Sequence, residues 1–364
     1  MIKILHILSN LSIRSGVTTV LFNYASHLDR NNISFSILYY DQVDGKTYLD
    51  RFEKLGIKCN YIGRKHFLRN LNSFCKKNKN LYDIFQVHEP FIAPALLTIR
   101  RKLGVKKVVF YSHSTRFSDT KVKNIRNMAL AFPSRFIGDC FFACSEKAGT
   151  KAFGKTFSKK GFVINNAFEQ EKFLYCESKR KEIRSSLGVQ GKTVIGHVGN
   201  MTPPKNHLFL LDVFKEYLYL DNNSVLLLIG TGYLKEKIVQ KSISLNIFDK
   251  VIFVGLVDDV HFYLSAMDYF VFPSLFEGLG LAFVEAQVNG LKCLVSDVVP
   301  KEANINQTNN ILASLRDGPK KWAFQLKKLS GRVSSQISDN GFNIEYACKQ
   351  LEKLYFEILE YEKE

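Results

Sequence analysis

Long hydrophobic runs are absent from this 364-residue sequence, which is the first constraint on its function. No window approaches the ~18 uncharged apolar residues that cross a bilayer, so the chain is not expected to be integral to a membrane. The opening MIKILHILSN has too short an apolar part for a secretion signal and reads as a strand. Metal-ligand spacing is missing among the seven cysteines, Cys59, Cys75, Cys140, Cys144, Cys176, Cys293 and Cys348. The close pair Cys140 and Cys144 lies in the apolar run CFFACS and reads as small buried thiols. An odd count without a signal peptide points to a reducing cytoplasm. Internal repeats and low-complexity tracts are lacking, and 46% hydrophobic against 23% charged residues excludes a disordered chain.

Acidic residues are scarce in one half only. Residues 1–165 hold 28 Lys or Arg against 10 Asp or Glu, whereas residues 166–364 hold 23 against 24. The first half is therefore expected to face something anionic, with nucleic acid and a lipid surface as the candidates beside a merely solubilising surface.

What is present is a βαβ alternation. Short apolar or β-branched runs at 2–8, 33–40, 82–88, 106–113 and 139–145 are spaced by room for helices, with weaker strands at 59–63 and 161–165. The pattern pauses over 166–190 and resumes at 193–199, 224–230, 250–255, 268–274 and 292–297. Helices are expected over 206–218 and 281–290, the second ended by Gly290 as a C-cap. The chain exceeds the ~250 to 300 residues of one core. The expected fold class is α/β, with two doubly wound Rossmann-like domains facing a cleft. The boundaries are expected at 1–168, joined by a C-terminal helix over 342–364, and 169–341.

The stretch SLFEGLGLAFVEAQ, residues 274–287, holds Glu277 and Glu285 eight positions apart. Glu169 with Glu177, and Glu352 with Glu360, share that separation, so context must decide. YFVFPS reads as a strand, LFEGLG as a turn and LAFVEAQ as the following helix. The N–H groups of Leu279, Gly280 and Leu281 then lie at a helix N-terminus that favours a phosphate, and Gly278 and Gly280 remove side chains that would hold an anion away. A carboxylate accepts both O–H groups of a vicinal diol, which suits Glu277 to sugar hydroxyls and Glu285 to ribose. GNMTPPKNH offers Lys205 after a parallel strand, and the turn near Val257 in GLVDDV is a candidate for reading a nucleobase edge.

Taken together, GHVGNMTPPKNHLFLLDVF, LLLIGTGYLKEKI, VIFVGLVDDV, FVFPSLFEGLGLAFVEAQVNGLKCLVSD, FYSHST and FFACSEKAGTKAFG resemble the family 4 retaining glycosyltransferases of the GT-B fold, in the branch that builds bacterial capsule and exopolysaccharide. The resemblance covers nearly the whole chain. It implies that Glu277 holds the donor sugar, Glu285 the ribose and Lys205 the diphosphate, with the 279–281 amides facing the phosphates. It further implies that His113 lines the reaction centre, that Gly16 approaches the phosphates and that the last helix crosses back to the N-terminal domain. Two departures stand out: Asn200 where the family usually has an arginine, and Ser15 ahead of Gly16 where paired glycines are usual. Arg14 is the candidate to supply the missing phosphate contact.

The implied reaction is metal-independent, retaining transfer of a hexose from a nucleotide-diphosphate sugar, expected to be UDP-linked, to a glycan or polyprenyl-diphosphate-linked saccharide. No Asp-x-Asp pair occurs to hold a metal on the diphosphate, and no cofactor is implied. In the front-face scheme implied for this family, the leaving phosphate oxygen takes the acceptor proton and Glu277 positions the sugar. Residues 64–80 interleave Phe67, Leu68, Leu71, Phe74 and Cys75 with Arg64, Lys65, Arg69, Lys76, Lys77 and Lys79, which suits docking at the inner face of an anionic membrane rather than on nucleic acid. A nucleotide-sugar epimerase on the same architecture, or a non-catalytic nucleotide-sugar-binding regulator, remain as alternatives.

Overall fold

The computed structural model describes residues 1–97, 104–118, 120–335, 337 and 341–360. Parallel strands covered by helices on both faces have no wet side, so they appear in sequence as nearly unbroken apolar runs. The first such sheet takes β1 (Ile2–Leu8), β2 (Ile33–Tyr39), β3 (Lys58–Tyr61), β4 (Ile84–Val87), β5 (Lys107–Ser112), β6 (Cys140–Ala143) and β7 (Gly161–Val163), in the order β3-β2-β1-β4-β5-β6-β7. All four residues of β4 and of β6 are buried.

The second sheet takes β8 (Thr193–Val198), β9 (Ser224–Ile229), β10 (Val251–Gly255), β11 (Tyr269–Phe272), β12 (Lys292–Ser296) and β13 (Asn310–Ala313), in the order β10-β9-β8-β11-β12-β13. Every described pairing in both sheets is parallel. The chain divides into one unit of Met1–Glu169 with Gly341–Glu364 and a second of Gln170–Asn340. β13 was not expected from the sequence. Its four residues, NILA, sit at a sheet edge between polar neighbours and carry too little periodicity to announce a strand.

In each sheet the order turns back once, between β1 and β4 and between β8 and β11. The loops leaving the carboxyl ends of those two strands diverge, and the crevice between them is where open α/β sheets bind ligands. The second unit closes around Trp322, which is fully buried with Phe214, Leu210, Leu226 and Leu326.

The helix Ile344–Glu360 joins the first unit because its apolar residues recur at helical spacing. Ile344, Ala347, Cys348, Leu351, Leu354, Tyr355 and Ile358 are all buried. Tyr355 anchors it by donating its hydroxyl to Gln86 Oε1 at 2.6 Å. Residues 361–364 of the expected helix lie outside the described residues. No helix among the described residues is long and apolar enough to cross a membrane.

Candidate functional site

β8 and β11 flank the turning point of the second sheet, and the loops after them carry the two best-connected candidate residues. After β8 the chain runs through Pro203 and Pro204, and Asn206 in the left-handed region (φ 55°) opens the helix His207–Leu218. After β11 it forms the turn 273–280. The two loops are tied together: Leu275 N–H donates to Pro204 O at 2.8 Å, and Asn206 Nδ2 donates to Pro273 O at 3.1 Å.

This tie brings Lys205 to Glu277. Lys205 Nζ lies 2.6 Å from Glu277 Oε1, and the same oxygen accepts the Ser274 hydroxyl at 2.7 Å. The side chains are only 21% and 11% exposed, so the pair is not one of the solvent-screened surface kind. Lys205 Nζ also sits 4.8 Å from the centre of the Phe272 ring. Ser274 is itself held, its carbonyl accepting Ser296 Oγ from β12 at 2.7 Å.

The turn ends in the helix Leu281–Val288, with Gly280 at its N-cap in a φ of 93°. That backbone conformation favours glycine, and a Cβ there would also lie a tight 3.2 Å from Phe272 Cε1. The first N–H groups of a helix have no intrahelical acceptor, which leaves the donors at Leu281 and its neighbours for an anion. The helix stops at Val288 with Asn289 as C-cap, and Gly290 follows at φ 82°. Glu285 lies in its second turn, only partly exposed. Burial pushes its carboxyl up to about 7, against the pull of the Lys205 charge.

Gly278 and Leu279 are buried in the turn. Asn200 follows β8 and accepts the Thr202 N–H on its carbonyl at 2.8 Å. Val257 follows β10 at the sheet edge, ahead of the helix Val260–Ala266. Near Lys205, His197 is buried. Its Nδ1 lies 2.8 Å from Val271 O, and burial lowers its pKa to about 4, the hydrogen bond opposing and the Lys205 charge adding.

In the first unit, Gly16 opens the helix Gly16–His27, where Ser15 accepts the Thr18 N–H on its side chain. A Cβ at Gly16 would meet nothing within 4 Å, so packing within the unit does not require glycine there. Arg14 is exposed in the same loop. His113 follows β5, and its Nε2 lies 2.8 Å from Nδ1 of His88, a residue that follows β4. His88 in turn reaches His6 on β1.

Sequence reasoning missed Ser274, His6 and His88. Ser274 sits three residues before Glu277, a spacing at which a hydroxyl reaches back to a turn, but a serine after proline is ordinary in any loop. The histidines are far apart in sequence and meet only through the strand order.

Residues 192–331 match the family described as Glycosyl transferases group 1. The putative glycosyltransferase EpsF of Bacillus subtilis is 28% identical over 313 residues, 83% of this chain and 81% of that protein. An Escherichia coli UDP-Gal:alpha-D-GlcNAc-diphosphoundecaprenol alpha-1,3-galactosyltransferase is 26% identical over 380 residues, 98% of this chain and 97% of its own. Among solved structures, Anabaena HepE in complex with UDP and glucose has a TM-score of 0.76 at 16% identity, covering 99% of this chain and 96% of that one. At that identity the likeness establishes the fold, which is the GT-B arrangement expected from the sequence.

Proposed function

From a chain whose residues 192–331 match the Glycosyl transferases group 1 family, we propose a retaining transferase that moves a sugar from a nucleotide-diphosphate donor, UDP-linked, onto a saccharide acceptor of capsule or exopolysaccharide. The observation that carries this reading is the Lys205–Glu277 pair beside the N-terminus of the helix Leu281–Val288, at the turning point of the sheet. Lys205 and the helix start meet the departing diphosphate as pre-aimed positive charge, so the reaction needs no metal clamp. Glu277 holds the sugar hydroxyls and Glu285 the ribose. Leu279, Gly278 and Gly280 let the phosphates approach, Val257 borders the base, and Asn200, Gly16 and Arg14 contribute at the phosphates. His113 acts at the reacting sugar. The retaining outcome follows the front-face scheme, the leaving phosphate oxygen taking the acceptor proton. The names of the relatives support the substrate class, one of them acting on a diphosphoundecaprenol-linked sugar.

The Glu285 carboxyl supplies a direct test. With its pKa at about 7, it is mostly protonated at pH 6 and mostly ionised at pH 8. Only the ionised form gives charge-assisted acceptance of both ribose hydroxyls. UDP-glucose, whose diphosphate does not titrate in this range, is expected to bind several-fold more tightly at pH 8 than at pH 6. In Glu285→Gln the affinity is expected to be weaker and flat with pH. Calorimetric titration at the two pH values decides it; a UDP-glucose signal missing at both pH values sinks the donor assignment.

The acceptor side of the proposal places the first unit at an anionic lipid surface. The helix Phe67–Lys77 is a weak contact, because Leu71 and Cys75 of its apolar stripe are buried. The helix Lys121–Ala131 and the corner after it are better suited. Val122 is 80% exposed, Ile125 63%, Phe132 52% and Phe136 72%, with Met128 and Leu130 also exposed. Residues 120–138 contain Lys121, Lys123, Arg126 and Arg135 and no Asp or Glu. Apolar insertion and cation attraction thus coincide on one segment. At about 1 kcal/mol per cation near a charged surface, Lys121→Glu with Lys123→Glu is expected to lower partitioning onto phosphatidylglycerol vesicles more than tenfold. Lys76→Glu with Lys77→Glu is expected to lower it less. Co-sedimentation measures both, and equal binding by wild type and the first variant refutes the surface.

A further inference from the structure

Three imidazoles stand in a row across adjacent strands of the first sheet. His6 comes from β1, His88 from the end of β4 and His113 from the end of β5, and β1, β4 and β5 are neighbours in that order. His6 Nδ1 lies 3.0 Å from His88 Nε2, and His88 Nδ1 lies 2.8 Å from His113 Nε2. The row runs from the core outward: His6 is 1% exposed, His88 5%, and His113, at the carboxyl end of the sheet, is partly exposed. Tyr111 stacks on His113 with ring centres 3.8 Å apart, which fixes the plane of the outer ring. The two end nitrogens, His6 Nε2 and His113 Nδ1, are buried atoms with no hydrogen-bond partner among the described residues.

Counting protons restricts this row to two neutral arrangements. Each neutral imidazole carries one N–H and one lone pair, and each of the two bonds uses one of each. One N–H and one lone pair are left, and they must fall at opposite ends. Either all three rings are protonated on Nδ1, with His113 Nδ1–H as the outer donor, or all three on Nε2, with a donor stranded at His6. His6 packs against Phe35 with ring centres 4.4 Å apart, and Phe35 offers no lone pair. The arrangements differ in where the unpaired N–H falls: His6 is 1% exposed, whereas His113 is partly exposed at the end of the sheet, where an arriving oxygen can accept its N–H. Because an orphaned buried N–H is rarer than an under-satisfied acceptor, the first arrangement is favoured.

We propose that His6 and His88 are positioning residues that hold His113 in its Nδ1–H form, so that it presents a fixed hydrogen-bond donor to an oxygen of the sugar or of its phosphate. The tautomer claim stands on the geometry alone; its link to turnover rests on the transferase reading given above. The partner of an imidazole's other nitrogen sets its tautomer, and here the setting is passed through two rings from the core.

The test labels the eight histidines with nitrogen-15 and reads the protonated nitrogen of each by long-range proton–nitrogen correlation, together with kcat and KM for the donor that supports turnover. In the wild type, His6, His88 and His113 are expected to be protonated on Nδ1. His6→Phe keeps a ring in the pocket but removes the donor, so His113 is expected to show mixed tautomers. The accompanying fall in kcat is expected to be about tenfold, the scale of losing an outer partner of a positioned imidazole, with KM nearly unchanged. His6→Asn, which keeps an amide donor near the Nδ1 position, is expected to restore both. A proton on Nε2 of His88 or His113 in the wild type overturns the proposal, as does His6→Phe with unaltered tautomers and turnover. Should no nucleotide sugar be turned over at all, the transferase reading falls, while the nitrogen signals still decide the proton order.

Discussion

Glu277→Ala is expected to lower kcat by two to three orders of magnitude while changing the donor KM little. Glu277 Oε1 receives both Lys205 Nζ and Ser274 Oγ, so one oxygen organises a cation and a hydroxyl at the start of the helix Leu281–Val288. In the proposed reaction this carboxylate does two things: it grips the sugar while positive charge develops at the anomeric carbon, and it fixes the ammonium that the leaving diphosphate requires. Pre-aimed groups of this kind contribute about 10²–10³ in kcat. Alanine removes the grip but leaves Lys205 available to the diphosphate, which is why ground-state binding should survive and the loss should fall on turnover. Glu277→Gln, which keeps an acceptor for Ser274 without the charge, should lie between the two. Lys205 is 21% exposed and can turn to water, so the fold is expected to hold. A melting curve followed through Trp322 checks that separately. A kcat within about threefold of wild type would remove Glu277 from the chemistry.

How far the sequence could lead to this arrangement depends on what kind of information each part needs. Strands such as SVLLLI and the four buried residues of β4 are legible because a strand buried on both faces must be apolar throughout. Gly280 and Gly290 are legible for the same local reason, since each sits in a backbone conformation that side chains resist. The joining of Lys205 to Glu277, 72 residues later, is another matter, because it depends on β8 lying next to β11. The motif resemblance supplied both residues but not their ion pair. The histidine row was illegible: His6 looks like any inward-facing strand residue, and only the order β1-β4-β5 lines it up with His88 and His113. A short edge strand such as β13 fails for the opposite reason, having local signals too weak to register.

Asp268→Ala is expected to destabilise the second unit by about 3 kcal/mol, at the lower end for breaking a partly buried ion-pair network. Asp268 stands just before β11. Its Oδ1 takes Arg180 Nη2 at 2.5 Å, and its Oδ2 takes Arg184 Nη1 at 3.1 Å and the Val194 N–H of β8 at 2.7 Å. One carboxylate therefore joins the helix Glu177–Ser186, which carries both arginines, to the two strands whose far ends bear Lys205 and Glu277. Arg184 is only 10% exposed, so its charge cannot be returned to water when the carboxylate goes. The loss is tempered because both guanidiniums keep carbonyl partners, Arg180 on Ser265 and Met267 and Arg184 on Ala266 and Val189. These carbonyls include the last turn of the helix Val260–Ala266, where positive charge is favourable by itself. Trp322 is the single tryptophan of the chain and lies in the core of this unit, so its fluorescence reports the second unit without interference from the first. For a unit of this size, about 3 kcal/mol corresponds to a melting midpoint lowered by roughly 6–12 °C. Asp268→Asn, which retains an acceptor for the Val194 N–H, should lose less. An Asp268→Ala midpoint equal to wild type would mean that the arginines hold this helix through the carbonyls alone.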